Sequence, residues 1–300
     1  MTDIIVIGAG TAGLSAAIYG VRAGKSVLVF EENAYGGQII NTPEIENYPG
    51  LYKISGFEYA KKIHDQAIDL GAEIKSERVL SVEDASDHKV VKTKDHSYEA
   101  KAVIIASGAH NRELGLEHEK EWVGAGISYC ATCDGMFFRK QDVAVNGGGN
   151  TAVEDALFLS NYCKKVYVIH RRDQFRGDEA SVEKLKEKDN VELVLNATVT
   201  KLIGTDGLDG VEVTDKMTGG KRQIPVTGLF VAIGQVPSND RFKNLVDLDD
   251  KGYIVAGEDC QTSTEGIFVA GDCRTKKVRQ LITAAADGAV AAIAASEYIG

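Results

Sequence analysis

Cys130 and Cys133, two residues apart with Asp134 directly after them, are the residues of this chain best suited to covalent chemistry. A Cys-x-x-Cys pair is half of a zinc site, a redox disulfide or a coincidence. Structural zinc takes four ligands, commonly from two such pairs. The other cysteines, Cys163, Cys260 and Cys273, form no second pair and have no histidine at ligand spacing, so no metal site is expected. The pair with its acid suits dithiol exchange: one thiolate attacks, the other resolves, and a carboxyl group protonates the thiolate that leaves.

The chemistry next in rank belongs to glycines. Ile4 to Ile7 reads as a strand, Gly8-Ala9-Gly10-Thr11-Ala12-Gly13 as a tight turn, Leu14 to Ala23 as a small-residue helix, and Ser26 to Phe30 as a second strand ending at Glu31. This is the dinucleotide fingerprint in the context it requires. Gly8 permits the turn, Gly10 lets the backbone approach a pyrophosphate, Gly13 lets helix and sheet pack closely, and the helix N-terminus offers N–H donors to phosphate. A second copy follows the cysteine pair: Val143 to Val145 as strand, Gly147-Gly148-Gly149-Asn150-Thr151-Ala152 as turn, then a helix to Asn161 and a strand, Val166 to Ile169, that leads into His170. Gly8 to Glu31 and Gly147 to His170 have the same spacing, 31 − 8 = 170 − 147 = 23. Each copy later reaches a strand ending in glycine, at Gly108 and at Gly234.

The copies differ where a ligand is told apart. A carboxylate at Glu31 can accept hydrogen bonds from ribose hydroxyls. His170 is followed by Arg171, Arg172 and, a turn later, Arg176. Guanidinium groups bind a 2′-phosphate bidentately where a carboxylate would repel it, so the second copy should prefer NADPH to NADH.

A length of 300 residues accommodates two domains, and 44% apolar with 26% charged residues is ordinary for a globular protein with a sizeable core. The net charge of −10 argues against nucleic acid or an anionic membrane as a partner. An apolar strand pattern already begins at Ile4, which leaves no room for a signal peptide. Leu281 to Ala295 is too short and, with Asp287, too polar to span a bilayer. A cytoplasmic location is the expectation, and five cysteines do not look like a secreted disulfide framework.

These motifs, with Gly36-Gly37-Gln38, Asn47-Tyr48-Pro49-Gly50, Gly271-Asp272 and Arg279-Gln280, make nearly the whole chain resemble the bacterial low-molecular-weight thioredoxin reductases. The resemblance implies an α/β protein of two Rossmann-like nucleotide-binding domains. An NADPH domain with the cysteine pair (114–240) would be inserted into a discontinuous FAD domain (1–113 and 241–300). It implies that Cys133 lies beside the flavin, that Cys130 attacks the disulfide of thioredoxin or a thioredoxin-like protein, and that Asp134 is the acid and base. FAD would be held by Gly8, Gly10, Thr11, Ala12, Gly13, Glu31, Gly37, Gln38, Asn47, Gly108, Gly271 and Asp272, with Arg279, Gln280 and Leu281 near its ring. NADPH would be held by Gly147, Gly149, Asn150, Thr151, Ala152, His170, Arg171, Arg172 and Arg176. Hydride would pass from NADPH to FAD and on to the cysteine pair. The domains would rotate about linkers near Arg112–Leu114 and Pro237–Phe242, because one fixed arrangement hardly lets both NADPH and the disulfide reach the flavin and the dithiol reach its substrate.

The resemblance also implies a homodimer, and a docking role for exposed aromatics among Phe137, Phe138 and Arg139. Core packing of those aromatics is the other reading. Asn146 stands where the family usually has an aliphatic residue. Three related enzymes fit less well. A peroxide-system flavoprotein would carry a further N-terminal cysteine pair, a ferredoxin-driven reductase would lack the second turn and its arginines, and a disulfide-forming oxidase would tend to lack Asp134. A non-catalytic flavin binder would have no use for the cysteines and their acid.

Overall fold

The computed structural model describes residues 1–42, 44–85 and 87–300. The chain forms two compact units, one of residues 1–110 and 236–300, the other of residues 111–235. These borders fall a few residues ahead of those expected from the motifs.

In chain order, the first unit opens with β1 (Thr2–Ile7), α1 (Thr11–Arg22), β2 (Val27–Glu31), α2 (Gly56–Asp69), β3 (Glu73–Ser76), β4 (Ser81–Asp84), β5 (Lys89–Lys92) and β6 (Ser97–Ile105). A strand β7 (Ala109–Asn111) leads out of it. The second unit holds β8 (Ile127–Ser128), α3 (Ala131–Asp134), β9 (Asp142–Gly147), α4 (Asn150–Ser160), β10 (Lys165–Ile169), α5 (Glu179–Lys186), β11 (Val191–Val194), β12 (Ala197–Ile203), β13 (Gly210–Asp215), β14 (Lys221–Pro225) and β15 (Gly228–Ala232). The chain returns through β16 (Gln235–Pro237), and β17 (Ile267–Val269) with α6 (Leu281–Ile299) completes the first unit.

The sheet of the first unit runs β3-β2-β1-β6-β5-β4. β6 serves two partners along one edge: its first residues pair antiparallel with β5, and Val103 to Ile105 pair parallel with β17. β1 is apolar on both faces because both faces are covered, as a central parallel strand requires. Ile4 and Val6 pack under α1 and α6, Ile5 and Ile7 against Val91, Phe242 and Ile254. α6 is long and apolar enough to cross a membrane, but it packs with α1 in this core. A Cβ at Gly288 would overlap the backbone of Ala12, which is why the helices can lie so close.

The second unit has a parallel sheet in the order β11-β10-β9-β15-β8 and an antiparallel ribbon β12-β13-β14. Val143 and Val145 face α4, while Ala144 faces the ribbon. Asn146, on the ribbon side with Ala144, is buried and stays in register with Ile169 and Val231, so β9 reaches its turn undisturbed. Where the connecting segments meet this unit they are tied together: Arg112 N–H donates to the Gly234 carbonyl (2.9 Å) and Gln235 Nε2 to Asn111 Oδ1 (3.0 Å).

Candidate active site

In the first unit, Gly8 has φ +109°, and a Cβ there would overlap the carbonyl of Ala106, just past the end of β6. A Cβ at Gly13 would overlap the Gly8 carbonyl, so the helix sits directly on its own turn. Gly10 is the N-cap of α1, and no side chain caps that end. Its first residues, Thr11, Ala12 and Gly13, are therefore presented as a helix N-terminus without an acid of its own, a site suited to an anion. Gly36 N–H donates to the Ala9 carbonyl (2.8 Å), and Gly37 lies against Gly10, which brings Gln38 to the same rim.

Glu31 does something its position in the motif does not reveal. Its carboxylate accepts from the N–H of Ala9 (2.8 Å) and of Asn33 (2.9 Å), bracing the glycine turn from behind.

The C-terminal part of this unit closes on the same turn. Gly271, at φ +82°, is in contact with Ala12. Asn47 Nδ2 donates to Gln280 Oε1 (3.1 Å), joining two expected site residues from opposite ends of the chain. Gln280 is also the N-cap of α6, in a reciprocal capping box with Thr283. Leu281 packs with Ile45, Ile54 and Tyr59. The Arg279 guanidinium lies over the Tyr253 ring (4.2 Å) and reaches the Asp272 carbonyl (3.4 Å). Gly108, at φ +65°, ends the β6 segment next to Ser107, whose hydroxyl donates to Asn239 Oδ1 (2.9 Å).

Asp272 Oδ1 is enclosed and has no hydrogen-bond partner among the described residues, and burial pushes the carboxyl up from its ordinary range against the pull of Lys276 and Arg279. An orphaned buried carboxylate oxygen calls for a ligand donor. With the uncapped α1 terminus it forms a set that fits FAD, whose diphosphate needs N–H donors and whose hydroxyls need acceptors.

Residues that sequence reasoning passed over hold this corner. Asp287 accepts from Arg274 Nε and Nη2 (2.9 Å each), Lys276 Nζ (2.8 Å) and Gly271 N–H (2.9 Å), and all three charged side chains are buried. Burial disfavours its charge, but these hydrogen bonds outweigh burial and hold Asp287 below the usual carboxylate range. An acid in the middle of an Ala-rich helix was the available signal, since a buried charge needs partners.

In the second unit, Gly147 is pressed against Ala232 and Ala152, and Gly149 caps α4 without any side chain over that end. Asn150 Oδ1 accepts from Asp178 N–H (2.8 Å), and Thr151 is exposed beside it. Arg176 N–H donates to the Gly148 carbonyl (2.7 Å), folding the basic loop onto the turn. Arg171, Arg172 and Arg176 are exposed, and their side chains have no hydrogen bond or ion pair among the described residues. Unpaired guanidinium groups beside an uncapped helix N-terminus fit a phosphorylated nucleotide such as NADPH.

His170, expected among the nucleotide contacts, lies beneath the turn. It is 4% exposed, stacked on Phe175 (5.3 Å), with Nε2 at 3.1 Å from the Gln174 carbonyl. A Cβ at Gly148 would overlap its ring, so the imidazole is the floor of the turn. Burial holds it below the ordinary histidine range, and the neighbouring arginines add to that.

Cys130 and Cys133 are joined in a disulfide, with Cα atoms 5.3 Å apart, at the single turn α3. Ser128, 3% exposed, donates through Oγ to Asp134 Oδ2 (2.6 Å) and accepts from Cys130 N–H (3.0 Å). Asp134 Oδ1 is enclosed and without a partner among the described residues. Burial pushes the Asp134 carboxyl up, and the Ser128 bond pulls against it. The carboxyl is thus raised from its ordinary range, a direction that suits an acid beside a disulfide.

Glu119, buried, accepts from the N–H groups of Leu114 (2.8 Å), Gly115 (2.8 Å) and Leu116 (3.3 Å) and from Tyr129 Oη (2.9 Å), tying the segment after the linker to the residue before Cys130. The two aromatics divide: Phe137 is 41% exposed, while Phe138 packs edge-on against Phe230 (5.4 Å).

A family model for pyridine nucleotide-disulphide oxidoreductases matches residues 2–288, and the chain belongs to that family, as an NADPH-dependent flavoprotein oxidoreductase that uses FAD and NADPH. Its relatives include thioredoxin reductases. It is 40% identical to the thioredoxin reductase of Listeria monocytogenes over 299 residues, 99% of this chain and 93% of that one. It is 42% identical over 300 residues to a bifunctional thioredoxin reductase/thioredoxin of Mycobacterium leprae, covering 99% of this chain and 66% of that protein. The solved structure of thioredoxin reductase from Streptococcus pyogenes matches with a TM-score of 0.95 at 41% identity, over 99% of this chain and 98% of the other.

Proposed function

We propose that the enzyme reduces the disulfide of thioredoxin or a thioredoxin-like protein with electrons from NADPH. The observation that carries this reading is the Cys130–Cys133 disulfide with Asp134 beside it, in the unit that also bears the arginine-framed turn. The relatives' names supply the substrate, and the relative with a thioredoxin on the same polypeptide suits it.

In this reading Arg171, Arg172 and Arg176 clamp the 2′-phosphate while Gly147, Gly149, Asn150, Thr151 and Ala152 form the pyrophosphate turn. His170 acts indirectly, as the floor of that turn. Gly8, Gly10, Thr11, Ala12, Gly13, Gly37, Gln38, Asn47, Gly108, Gly271 and Asp272 line the FAD site, with Arg279, Gln280 and Leu281 toward the ring. Glu31 braces the turn and keeps acceptor capacity for ribose. Bound FAD supplies the relay between a two-electron hydride donor and a dithiol. Cys133 receives the electron pair, Asp134 protonates the sulfur that leaves, and Cys130 attacks the substrate disulfide, with Cys133 resolving the mixed disulfide. The domains rotate between half-reactions about the segments joined by the Arg112–Gly234 and Gln235–Asn111 bonds.

Phe137 and Met136, exposed just beyond the cysteines, provide an apolar face for a protein substrate. Ile282, Val290 and Ile293, exposed along one face of α6, suit a homodimer contact, and the cytoplasm suits a free dithiol. NADPH oxidation coupled to a panel of thioredoxins from the same source tests the substrate assignment. Turnover with at least one is expected, and none with any would remove it.

A further inference from the structure

The redox turn contains one polar group that the motif does not name, the Ser128 hydroxyl. Ser128 ends β8, which is paired to β15 through Phe230, so its side chain is set by a core strand and not by the loop that carries the cysteines. Its single O–H proton has two acceptors in range, Asp134 Oδ2 at 2.6 Å and the Cys130 carbonyl at 3.3 Å. The Cys130 N–H already occupies a lone pair of Oγ from the other side (3.0 Å). The short bond to the acid is the stronger one, so the proton points at Oδ2. The other oxygen, Oδ1, is enclosed with no partner among the described residues, so the Ser128 hydroxyl is what holds this carboxyl group in place.

We propose that Ser128 is a positioning residue for proton transfer: by donating to Oδ2 of Asp134 it fixes the carboxyl group that gives and takes the proton of the Cys130–Cys133 couple. This rests on Asp134 being the acid of the dithiol reaction. When an electron pair derived from NADPH opens the disulfide, the S–S bond breaks and one sulfur departs as thiolate. The O–H bond of the Asp134 carboxyl then breaks, an S–H bond forms, and the carboxylate left behind is stabilised by the Ser128 hydroxyl. When the dithiol reduces a substrate disulfide, the attacking sulfur returns its proton to the Asp134 carboxylate. The same hydroxyl holds the Cys130 N–H, so one buried group registers both the acid and the first cysteine.

The other titratable groups around α3 are known. On its own segment they are the two cysteines. From α4 and its end come Asp155, pushed up to about 7 by burial, and the Tyr162 phenol, which lies against Gly135. From the β8 side come Tyr129 and Glu119, bonded to each other. Asp155 titrates near neutrality, so Asp155→Asn is the required control.

The test compares Ser128→Ala, Ser128→Thr, Asp134→Asn and Asp155→Asn in holoenzyme, each in two measurements. One is the pH profile of thioredoxin turnover. The other is the pH dependence of the Cys130–Cys133 equilibrium with dithiothreitol, read by thiol alkylation, which needs no turnover. Loss of the Ser128 bond removes a stabiliser of the carboxylate, so the limb assigned to Asp134 should move to higher pH by about one unit in both. The kcat should fall about tenfold with KM for thioredoxin nearly unchanged. Ser128→Thr, which keeps the hydroxyl, should restore both. Should Ser128→Ala not fold, Ser128→Gly removes the same hydroxyl and must move the limb the same way. A Ser128→Ala or Ser128→Gly enzyme with a wild-type limb and kcat, while Asp134→Asn is crippled, overturns the proposal alone. An Asp134→Asn enzyme with an unchanged profile overturns the acid assignment and the proposal with it. A limb displaced by Asp155→Asn and not by Ser128→Ala assigns that limb to Asp155 and also overturns it.

Discussion

The two glycine turns start from one plan and part at one position. Glu31 and His170 stand at the same distance from the first glycine of their turns, where dinucleotide folds are expected to tell ligands apart. In this structure each braces its own turn first. Glu31 takes the Ala9 N–H, and His170 lies beneath Gly148 as a buried plate. The difference is in what remains exposed. The first turn keeps a carboxylate with spare acceptor capacity, and the second turns to solvent three arginines that are unpaired among the described residues. In the proposed reading, selectivity in the second turn belongs to the arginines after His170, with His170 acting beneath the turn.

The largest effect expected from this comparison is on the arginines. Each charge-assisted bond to a phosphate contributes about 1.5–3 kcal/mol, so Arg171→Ala with Arg172→Ala should raise KM for NADPH by roughly 100-fold or more. NADH kinetics should change little, and an unchanged NADPH/NADH ratio would contradict the assignment. His170→Ala opens a cavity under the turn and should destabilise the protein by about 3 kcal/mol in denaturant melts, while the ratio of NADPH to NADH use stays within about threefold. A collapse of that ratio with unchanged stability would return His170 to the ligand shell. Glu31→Ala frees the Ala9 and Asn33 amides and should weaken FAD binding about tenfold, as read by release of flavin fluorescence on dilution. Undiminished retention would make the brace unimportant.

The smallest expected effect is on pH. His170 is held below its ordinary value when folded, so the unfolded chain takes up the proton first as pH falls. The His170 contribution is therefore complete above the unfolded histidine value near 6.5 and is lost as pH drops below it. His170→Phe should flatten the stability slope below that point by less than about 1 kcal/mol. A steeper slope in the variant would contradict the sign.

Much of this was legible in the sequence because it depends on neighbours in the chain. Glycine turns, the strand–turn–helix order and the Cys130–Cys133–Asp134 group are local patterns with a physical reason for each residue. What the sequence withheld is pairing across distance. The Asp287–Arg274–Lys276 cluster, the Glu119 carboxylate gathering three backbone amides, and the Asn47–Gln280 bond each need the fold to bring the partners together. Phe137 and Phe138 are adjacent and chemically alike, so only the structure separates the exposed ring from the buried one. Ser128 was invisible for the same reason: two residues before the cysteine pair it looks like any strand-end serine until its hydroxyl is seen on Asp134.

The central claim is that electrons leave this enzyme through Cys130. It is tested most directly by anaerobic mixing of the FAD-loaded protein with NADPH and then with oxidised thioredoxin, following flavin absorbance in wild type and in Cys130→Ser. The account predicts that NADPH bleaches the flavin in both, and that thioredoxin restores the colour in wild type alone. A wild-type flavin that stays oxidised, or a Cys130→Ser flavin that thioredoxin reoxidises at the wild-type rate, would contradict it.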